Sequence, residues 1–256
     1  MSVAFDFDGK VALVTGAAGG MGRATAQAFA AAGAQVVAAD IAADGGEETV
    51  DSIKRDGGSA IFVRTDVSSA RDVEAAVAVA VTSFGGLDCA CNAAAIEIET
   101  TLLADCEEAT FDRLVAVNLK SIFLCLKYEI RAMLERGGGA IVNIASTNSF
   151  RPLPKQSVYT ATKHAVVGMT KTAAIEYAGT GIRINAVAPG AIDTPMLRGA
   201  MASRGSAEAD VLTRLSLIGR FGQPSEIANA VLWLCSDAST YTMGHVLAVD
   251  GGYLAR

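Results

Sequence analysis

Tyr159 and Lys163 stand four residues apart at the start of a stretch with helical character, so one helix face carries both. Ser146 closes the apolar run that precedes this stretch. A phenol with a pKa of ~10 is a poor base near neutral pH, and lowering it by about three units takes about 4 kcal/mol. One ammonium group ~4 Å away supplies that much at an effective dielectric of about 20. Lys163 thus nearly suffices to make Tyr159 a general base. It would take the proton of an alcohol while hydride leaves the same carbon, and return it in the reverse direction. Ser146 would hydrogen-bond the substrate oxygen and hold its developing charge. Alone, a Tyr-x-x-x-Lys pair equally describes a solvated helix face.

Hydride needs an acceptor, and a second segment offers a place for one. Thr15-Gly16-Ala17-Ala18-Gly19-Gly20-Met21-Gly22 follows a short apolar run and leads into an Ala-rich helical stretch. Glycines allow a tight turn there and let backbone amides approach a pyrophosphate at a helix N-terminus. The spacing is G-x-x-x-G-x-G, and a glycine turn by itself also serves ordinary loops. The strand before it and the helix after it favour a dinucleotide. Asp40 ends the next apolar run, ~20 residues beyond the glycines. A carboxylate there accepts hydrogen bonds from ribose hydroxyls and repels a 2′-phosphate of about −1.5 to −2 charges. Ile41 follows it, and residues 17–21 carry no charge, so the expected cofactor is NAD(H) rather than NADP(H). Asp40 also reads as a turn-starting aspartate.

These residues need a frame. Strands are predicted over residues 11–15, 35–40, 60–65, 87–92, 140–146, 182–188 and 246–250. Helices are predicted over 22–32, from the second strand to Asp56, from an N-cap at Ser68 to Phe84, and over 110–136, 157–178 and 224–235. Gly33, Gly57, Gly85 and Gly137 punctuate the ends. Strand–helix alternation with continuously apolar strands implies a parallel sheet covered on both faces. The expected fold is α/β: a single doubly wound Rossmann-type domain over 1–256, with seven parallel strands. Residues 190–223 are too long for an ordinary connection and read as a substrate-binding lid. It mixes Met196, Leu197, Met201, Leu212 and Leu215 with Arg198, Arg204 and Arg214, and Gly199 and Gly205 would let it move. The substrate pocket is expected between residues 95–101, 147–156 and this lid, with an apolar lid over a few polar groups suiting a compact alcohol or ketone. Arg151 or a lid arginine would suit an anionic substrate group, although surface placement is the commoner use of arginine.

Taken together, Thr15-Gly-x-x-x-Gly-x-Gly22, Ser146 and Tyr159-Thr160-Ala161-Thr162-Lys163 resemble the short-chain dehydrogenases/reductases. Asp66-Val67, Asn92-Ala93-Ala94, Asn118, Pro189-Gly190 and Asp250-Gly251-Gly252 extend the resemblance over essentially the whole chain. It implies that Asn118 joins Ser146, Tyr159 and Lys163 as a catalytic residue, holding a water that links Lys163 to solvent. Lys163 would also contact the nicotinamide ribose, and Tyr159 would lie against the cofactor. The implied cofactor-binding set takes in Gly16, Gly19, Gly20, Met21, Gly22, Asp40 and Ile41. Asp66 and Val67 would read the adenine edge, Asn92 would steady the strand end beside the adenosine ribose, and Ala93 and Ala94 would belong to the same cofactor-binding set. Pro189 and Gly190 would follow the sixth strand, and Ile192 and Thr194 would meet the carboxamide. The family usually has Asn-Ala-Gly where this chain has Asn92-Ala93-Ala94, which brings a methyl group near the cofactor. The resemblance further implies a homotetramer built through the two long helices, whose apolar residues cover more than one face.

Composition narrows the alternatives. Of 256 residues, 51% are apolar and 19% charged, which excludes a disordered chain. A net charge of −6 argues against nucleic acid as a partner. No apolar run reaches the ~18 residues of a membrane span. Residues 1–10 include Asp6 and Asp8 and have no apolar core, so no signal peptide is expected. Five cysteines without C-x-x-C spacing read as free thiols in a reducing cytoplasm. His164 and His245 lack partners at ligand spacing, and no metal is expected. Two rival readings remain. An NADPH-dependent carbonyl reductase of the 3-oxoacyl-carrier-protein type is disfavoured by Asp40. A non-enzymatic NAD-binding sensor or assembly module is disfavoured by the complete Ser146, Tyr159 and Lys163 set.

Overall fold

Seven short apolar segments supply the centre of the molecule. In the computed structural model, which describes residues 5–256, they form one parallel sheet. Residues 1–4, part of the stretch read as lacking a signal peptide, lie outside the described residues. The strands are β1 (Val11–Thr15), β2 (Gln35–Asp40), β3 (Ser59–Arg64), β4 (Cys89–Asn92), β5 (Gly139–Ile144), β6 (Ile182–Pro189) and β7 (Val246–Val249). Every residue of β1 and β4 is buried, as a sheet covered on both faces requires.

The spatial order is β3-β2-β1-β4-β5-β6-β7. The chain runs outward from β1 to β3, then crosses back to lay β4 beside β1. That reversal opens a crevice at the carboxyl ends of β1 and β4, where doubly wound sheets bind their ligands.

The covering helices are α1 (Gly20–Ala31), α2 (Ala43–Arg55), α3 (Ala70–Phe84), α4 (Glu108–Val115), α5 (Ser121–Arg136), α6 (Ser157–Tyr177), α7 (Pro195–Arg204), α8 (Glu208–Leu215) and α9 (Pro224–Cys235). One apolar cluster packs α1 and α9 on one face of the sheet, and another packs α3, α5 and α6 on the opposite face. Alanine keeps these contacts close, as at Ala26, Ala80 and Ala173. Among the described residues, no helix is long and apolar enough to cross a membrane.

Several boundaries differ from the sequence expectation, each for a local reason. The N-cap of α3 is Ser69, not Ser68, because the Ser69 hydroxyl accepts from Asp72 N while Ser68 bonds Asp66 instead. Helix α1 starts at Gly20, inside the glycine turn. The helix predicted over 110–136 divides into α4, a π-helical turn over Ala116–Lys120, and α5. Residues 190–223 are not irregular throughout, since α7 and α8 lie within them. Thr194 caps α7 by accepting from Leu197 N at 3.2 Å, with Pro195 at its first position.

Candidate active site

Two cavities meet above the carboxyl edge of the sheet, sharing Met21, Ala93, Ala95, Thr194 and Met196 in their walls. The first is a cleft over the β1–β4 crevice. Its lining includes Gly16, Gly19, Gly20, Met21 and Gly22, then Asp40 and Ile41 from β2, Asp66 and Val67 after β3, and Ala93 and Ala94 after β4.

Two glycines of this cleft, Gly16 and Gly22, are dictated by close backbone approach. A Cβ on Gly22 would lie 2.1 Å from the Gly16 carbonyl oxygen, and one on Gly16 would lie 2.8 Å from Ala94 N. Gly16 also has φ +72°, in the region glycine favours. Thr15 ties the two strand ends together, its hydroxyl accepting from the backbone N–H groups of Ala93 and Ala94 at 3.2 and 3.3 Å. A cradle stripped of side chains at the N-terminus of α1 fits a dinucleotide pyrophosphate. Asp40 serves the turn as well as the cleft. One of its oxygens accepts from Ala18 N and the other from Ala42 N, both at 2.9 Å. Each oxygen keeps a lone pair for a ribose hydroxyl. Asp66 is held below the usual carboxylate range, mainly by hydrogen bonds from the hydroxyl and backbone N–H of Ser68.

The second cavity holds the candidate catalytic residues. Ser146, Tyr159 and Lys163 line it together with Pro189, Gly190, Ile192 and Thr194. Ser146 lies just past β5, and its hydroxyl accepts from Asn148 N at 3.1 Å. Tyr159 and Lys163 project from the first turns of α6. Two acidic residues that the sequence reading did not single out, Glu97 and Glu99, organise this region. Glu99 is 3% exposed, and its carboxylate accepts from Val158 N at 3.0 Å and Tyr159 N at 2.7 Å. It thereby anchors the N-terminus of α6 and Tyr159 with it. The signal was the Glu97-Ile98-Glu99 alternation just after the fourth strand.

The electrostatics depart from expectation. Burial pushes the Tyr159 phenol up to about 12, the Ser146 hydrogen bond opposes this, and the Glu97 charge adds to it. Burial also brings Lys163 down to about 8, and its ammonium donates to the Ile144 carbonyl at 2.7 Å. In the protein alone, Lys163 therefore does not carry Tyr159 to a neutral-range pKa, because desolvation disfavours both charged forms.

Asn92 and Asn118 line neither cavity. The Asn92 amide is buried at the end of β4 and donates to Glu129 and to Asn143, each at 3.0 Å. Asn143 in turn donates to Thr170, tying β4, β5, α5 and α6 together. Asn118 sits in the π turn with its amide committed in both directions to the backbone of Ile96, at 2.8 Å each. Arg151 does not point at substrate: it donates to the Tyr253 and Arg256 carbonyls and stacks on the Tyr253 ring. Arg198 is paired with Asp193 and Glu208. Arg204 and Arg214 reach the cavity, as does Tyr253, which the sequence reading missed. His164 is exposed, with its ring nitrogen 2.9 Å from the Thr160 carbonyl. The five cysteines are free, and no metal-binding cluster occurs among the described residues.

Comparison with known proteins agrees with this geometry. The family model described as enoyl-(acyl carrier protein) reductase matches residues 16–254. The short chain dehydrogenase/reductase astE of Aspergillus oryzae is 43% identical, over 97% of this chain and 96% of its own. The 2,5-dichloro-2,5-cyclohexadiene-1,4-diol dehydrogenase of Sphingobium indicum is 44% identical, over 98% and 99%. The crystal structure of levodione reductase superposes with a TM-score of 0.93 at 38% identity, covering 97% of this chain and 99% of that one. A protein described as a 2-deoxy-d-gluconate 3-dehydrogenase from Agrobacterium tumefaciens, with NADP bound, superposes at 0.88 with 38% identity over the full length of both. Glycine cradle, Tyr-x-x-x-Lys helix and end-to-end similarity converge on one conclusion: the chain belongs to the short-chain dehydrogenase/reductase family, oxidoreductases that move hydride between a nicotinamide dinucleotide and an alcohol or ketone.

Proposed function

We propose that this protein interconverts a compact cyclic secondary alcohol and its ketone, using NAD(H). The observation that carries the reading is the joining of the glycine-lined cleft to the cavity of Ser146, Tyr159 and Lys163. Asp40 in the cleft wall supports NAD(H), because its carboxylate would repel a 2′-phosphate. The apolar residues Leu153, Met196, Leu197, Val211 and Leu215 around the catalytic groups support a small carbon skeleton. So does the ring alcohol named in the dichlorocyclohexadienediol relative.

In this reading Ser146 holds the substrate oxygen and Tyr159 takes its proton. A bound oxidised nicotinamide supplies the hydride acceptor and a positive charge beside the phenol. That charge, added to the Lys163 ammonium, is needed to bring Tyr159 down from about 12. Lys163 orients the ribose and carries charge to the phenol. Asn118 acts through its main chain, since its amide is already committed to Ile96. A π turn leaves a carbonyl free of the regular helical ladder, and such turns recur at functional sites. That carbonyl is the anchor we assign to the relay water. Gly16, Gly19, Gly20, Met21 and Gly22 hold the pyrophosphate, Asp66 and Val67 the adenine, and Ile192 and Thr194 the carboxamide. The Ala94 methyl narrows the cleft without closing it.

Use of NADP(H) is the second reading, favoured by the NADP-bound Agrobacterium neighbour. Measuring kcat/KM with NAD+ and NADP+ on a panel of alcohols, and with NADH and NADPH on the ketones, tests both. A clear preference for the phosphorylated cofactor overturns the NAD(H) assignment. No turnover in either direction overturns the enzymatic reading. The same proposal includes a homotetramer built through α5 and α6, supported by exposed Phe123, Leu134 and Ile175 on those helices. A monomer by light scattering would refute it. The free thiols support a reducing, cytoplasmic setting.

A further inference from the structure

The catalytic cavity carries one charged pair in walls that are otherwise largely apolar. Glu97 lines it beside Ser146 and Tyr159, and its side chain is 6% exposed. Arg204, at the end of lid helix α7, donates to Glu97 Oε2 at 2.6 Å and to the Glu99 carbonyl at 2.8 Å. Glu97 Oε1 accepts from Glu99 N at 3.1 Å. The Gln156 amide completes the group. Its oxygen accepts from Asn148 Nδ2 at 2.6 Å or, with the amide turned over, from both terminal nitrogens of Arg204 at 3.0 and 3.2 Å.

A purely structural account of Glu97 is weak. Fastening the lid does not require a carboxylate, because Arg204 already donates to the Glu99 carbonyl. Buried ion pairs seldom stabilise more than apolar residues of similar volume. The charge also works against the catalytic phenol, since Glu97 pushes Tyr159 further up. A carboxylate that bears both costs in the cavity wall is placed to bind a ligand group. Each Glu97 oxygen has one recorded partner and accepts two, so both retain an accepting lone pair. Arg204 offsets the carboxylate charge, so the complement is a neutral donor rather than a cation.

We propose that Glu97 is a specificity-determining residue that accepts a hydrogen bond from a second hydroxyl group of the substrate, so that the protein selects diols over the corresponding simple alcohols. The inference rests on the reading of this cavity as the alcohol site. A hydrogen bond to a carboxylate gives about 10- to 100-fold discrimination. The bond forms on binding, so the effect falls mainly on KM.

The test compares kcat/KM for cyclohexanol, the cyclohexane-1,2-, 1,3- and 1,4-diols and 2-aminocyclohexanol, in wild type, Glu97→Gln, Glu97→Asp and Arg204→Ala. Wild type is expected to prefer at least one diol to cyclohexanol by about tenfold or more. Glu97→Gln, whose amide can still hydrogen-bond a hydroxyl but carries no charge, should lower that ratio by about five- to tenfold by raising the KM of the diol. Glu97→Asp, which keeps the charge but withdraws it by one methylene, should give an intermediate ratio and serves if the glutamine variant folds poorly. Arg204→Ala, which leaves the Glu97 charge uncompensated, should raise kcat/KM for 2-aminocyclohexanol relative to the diols. A wild type that oxidises cyclohexanol as well as every diol overturns the inference alone. So does a diol preference that Glu97→Gln leaves undiminished, or a preference for the amine. A wild type that oxidises none of these compounds, nor any alcohol of the wider panel, overturns the alcohol reading itself.

Discussion

The two cavities that meet at Ala93 and Thr194 are built on different principles. The cleft over β1 and β4 is a backbone device. Its key positions lack side chains, because a Cβ at Gly22 or Gly16 would strike main-chain atoms. The catalytic cavity is a side-chain device, assembled from the end of β5 and the residues after it, α6, the segment after β4, helices α7 and α8, and the C-terminal turn at Tyr253. A backbone device tolerates almost no substitution at its glycines, but it looks alike whatever the substrate. A side-chain device can be retuned one residue at a time, and specificity resides there.

Tyr159→Phe should break the second cavity most severely. Loss of a general acid–base group costs about 10²- to 10⁴-fold in kcat. Cofactor binding, read by fluorescence titration, should change little, and a parallel loss of cofactor affinity would show that the two cavities are not separable. Gly22→Ala should do the reverse, weakening cofactor binding by on the order of 100-fold, equivalent to about 3 kcal/mol. An unchanged dissociation constant would mean that the turn relaxes around the methyl.

Beneath both cavities lies Glu129, fully buried and raised to about 7 by desolvation, with the Asn92 hydrogen bond opposing the shift. Its folded-state pKa exceeds its ordinary value, so the folded protein binds this proton more tightly. Stability contributed in this way is present at low pH and lost as pH rises through about 7. Glu129→Gln should therefore stabilise the protein by up to about 3 kcal/mol at pH 8 and by less than about 1 kcal/mol at pH 5. Thermal unfolding at the two pH values checks this, and equal gains would refute the assignment. The smallest expected effect is at the rim of the cleft. Asp40→Ala should narrow the NAD(H) over NADP(H) preference by about tenfold, from a loss of about 1.4 kcal/mol. It should also loosen the turn that Asp40 holds through Ala18 and Ala42. Unchanged cofactor discrimination would leave Asp40 a turn residue only.

The alternation of apolar strands and Ala-rich helices made the parallel sheet legible in the sequence, because each element announces itself within a few residues. The same holds for the glycine turn and for Tyr159 with Lys163, whose spacing alone sets them on one face. Where the reading failed, the missing information was non-local. Nothing near Asn118 announced a π turn within a long helical pattern. Asn92 steadies the end of β4 as the resemblance implies, but its partners lie 37 and 51 residues away and could not be named from the sequence. Arg151 reads more commonly as a surface arginine than as an anion ligand, but the C-terminal carbonyls it binds lie over a hundred residues later and had no local signal.

The sequence by itself therefore determined the architecture, and it singled out the glycine turn and the Ser146, Tyr159 and Lys163 set that we propose as cofactor cradle and reacting side chains, all products of short-range periodicity and steric constraint. Tertiary structure decided the charge states and the specificity. Burial, which no local pattern reports, drives Tyr159 up and Lys163 down. Only folding brings Glu97 to Arg204, 107 residues apart, and sets a paired carboxylate in the wall of an apolar cavity.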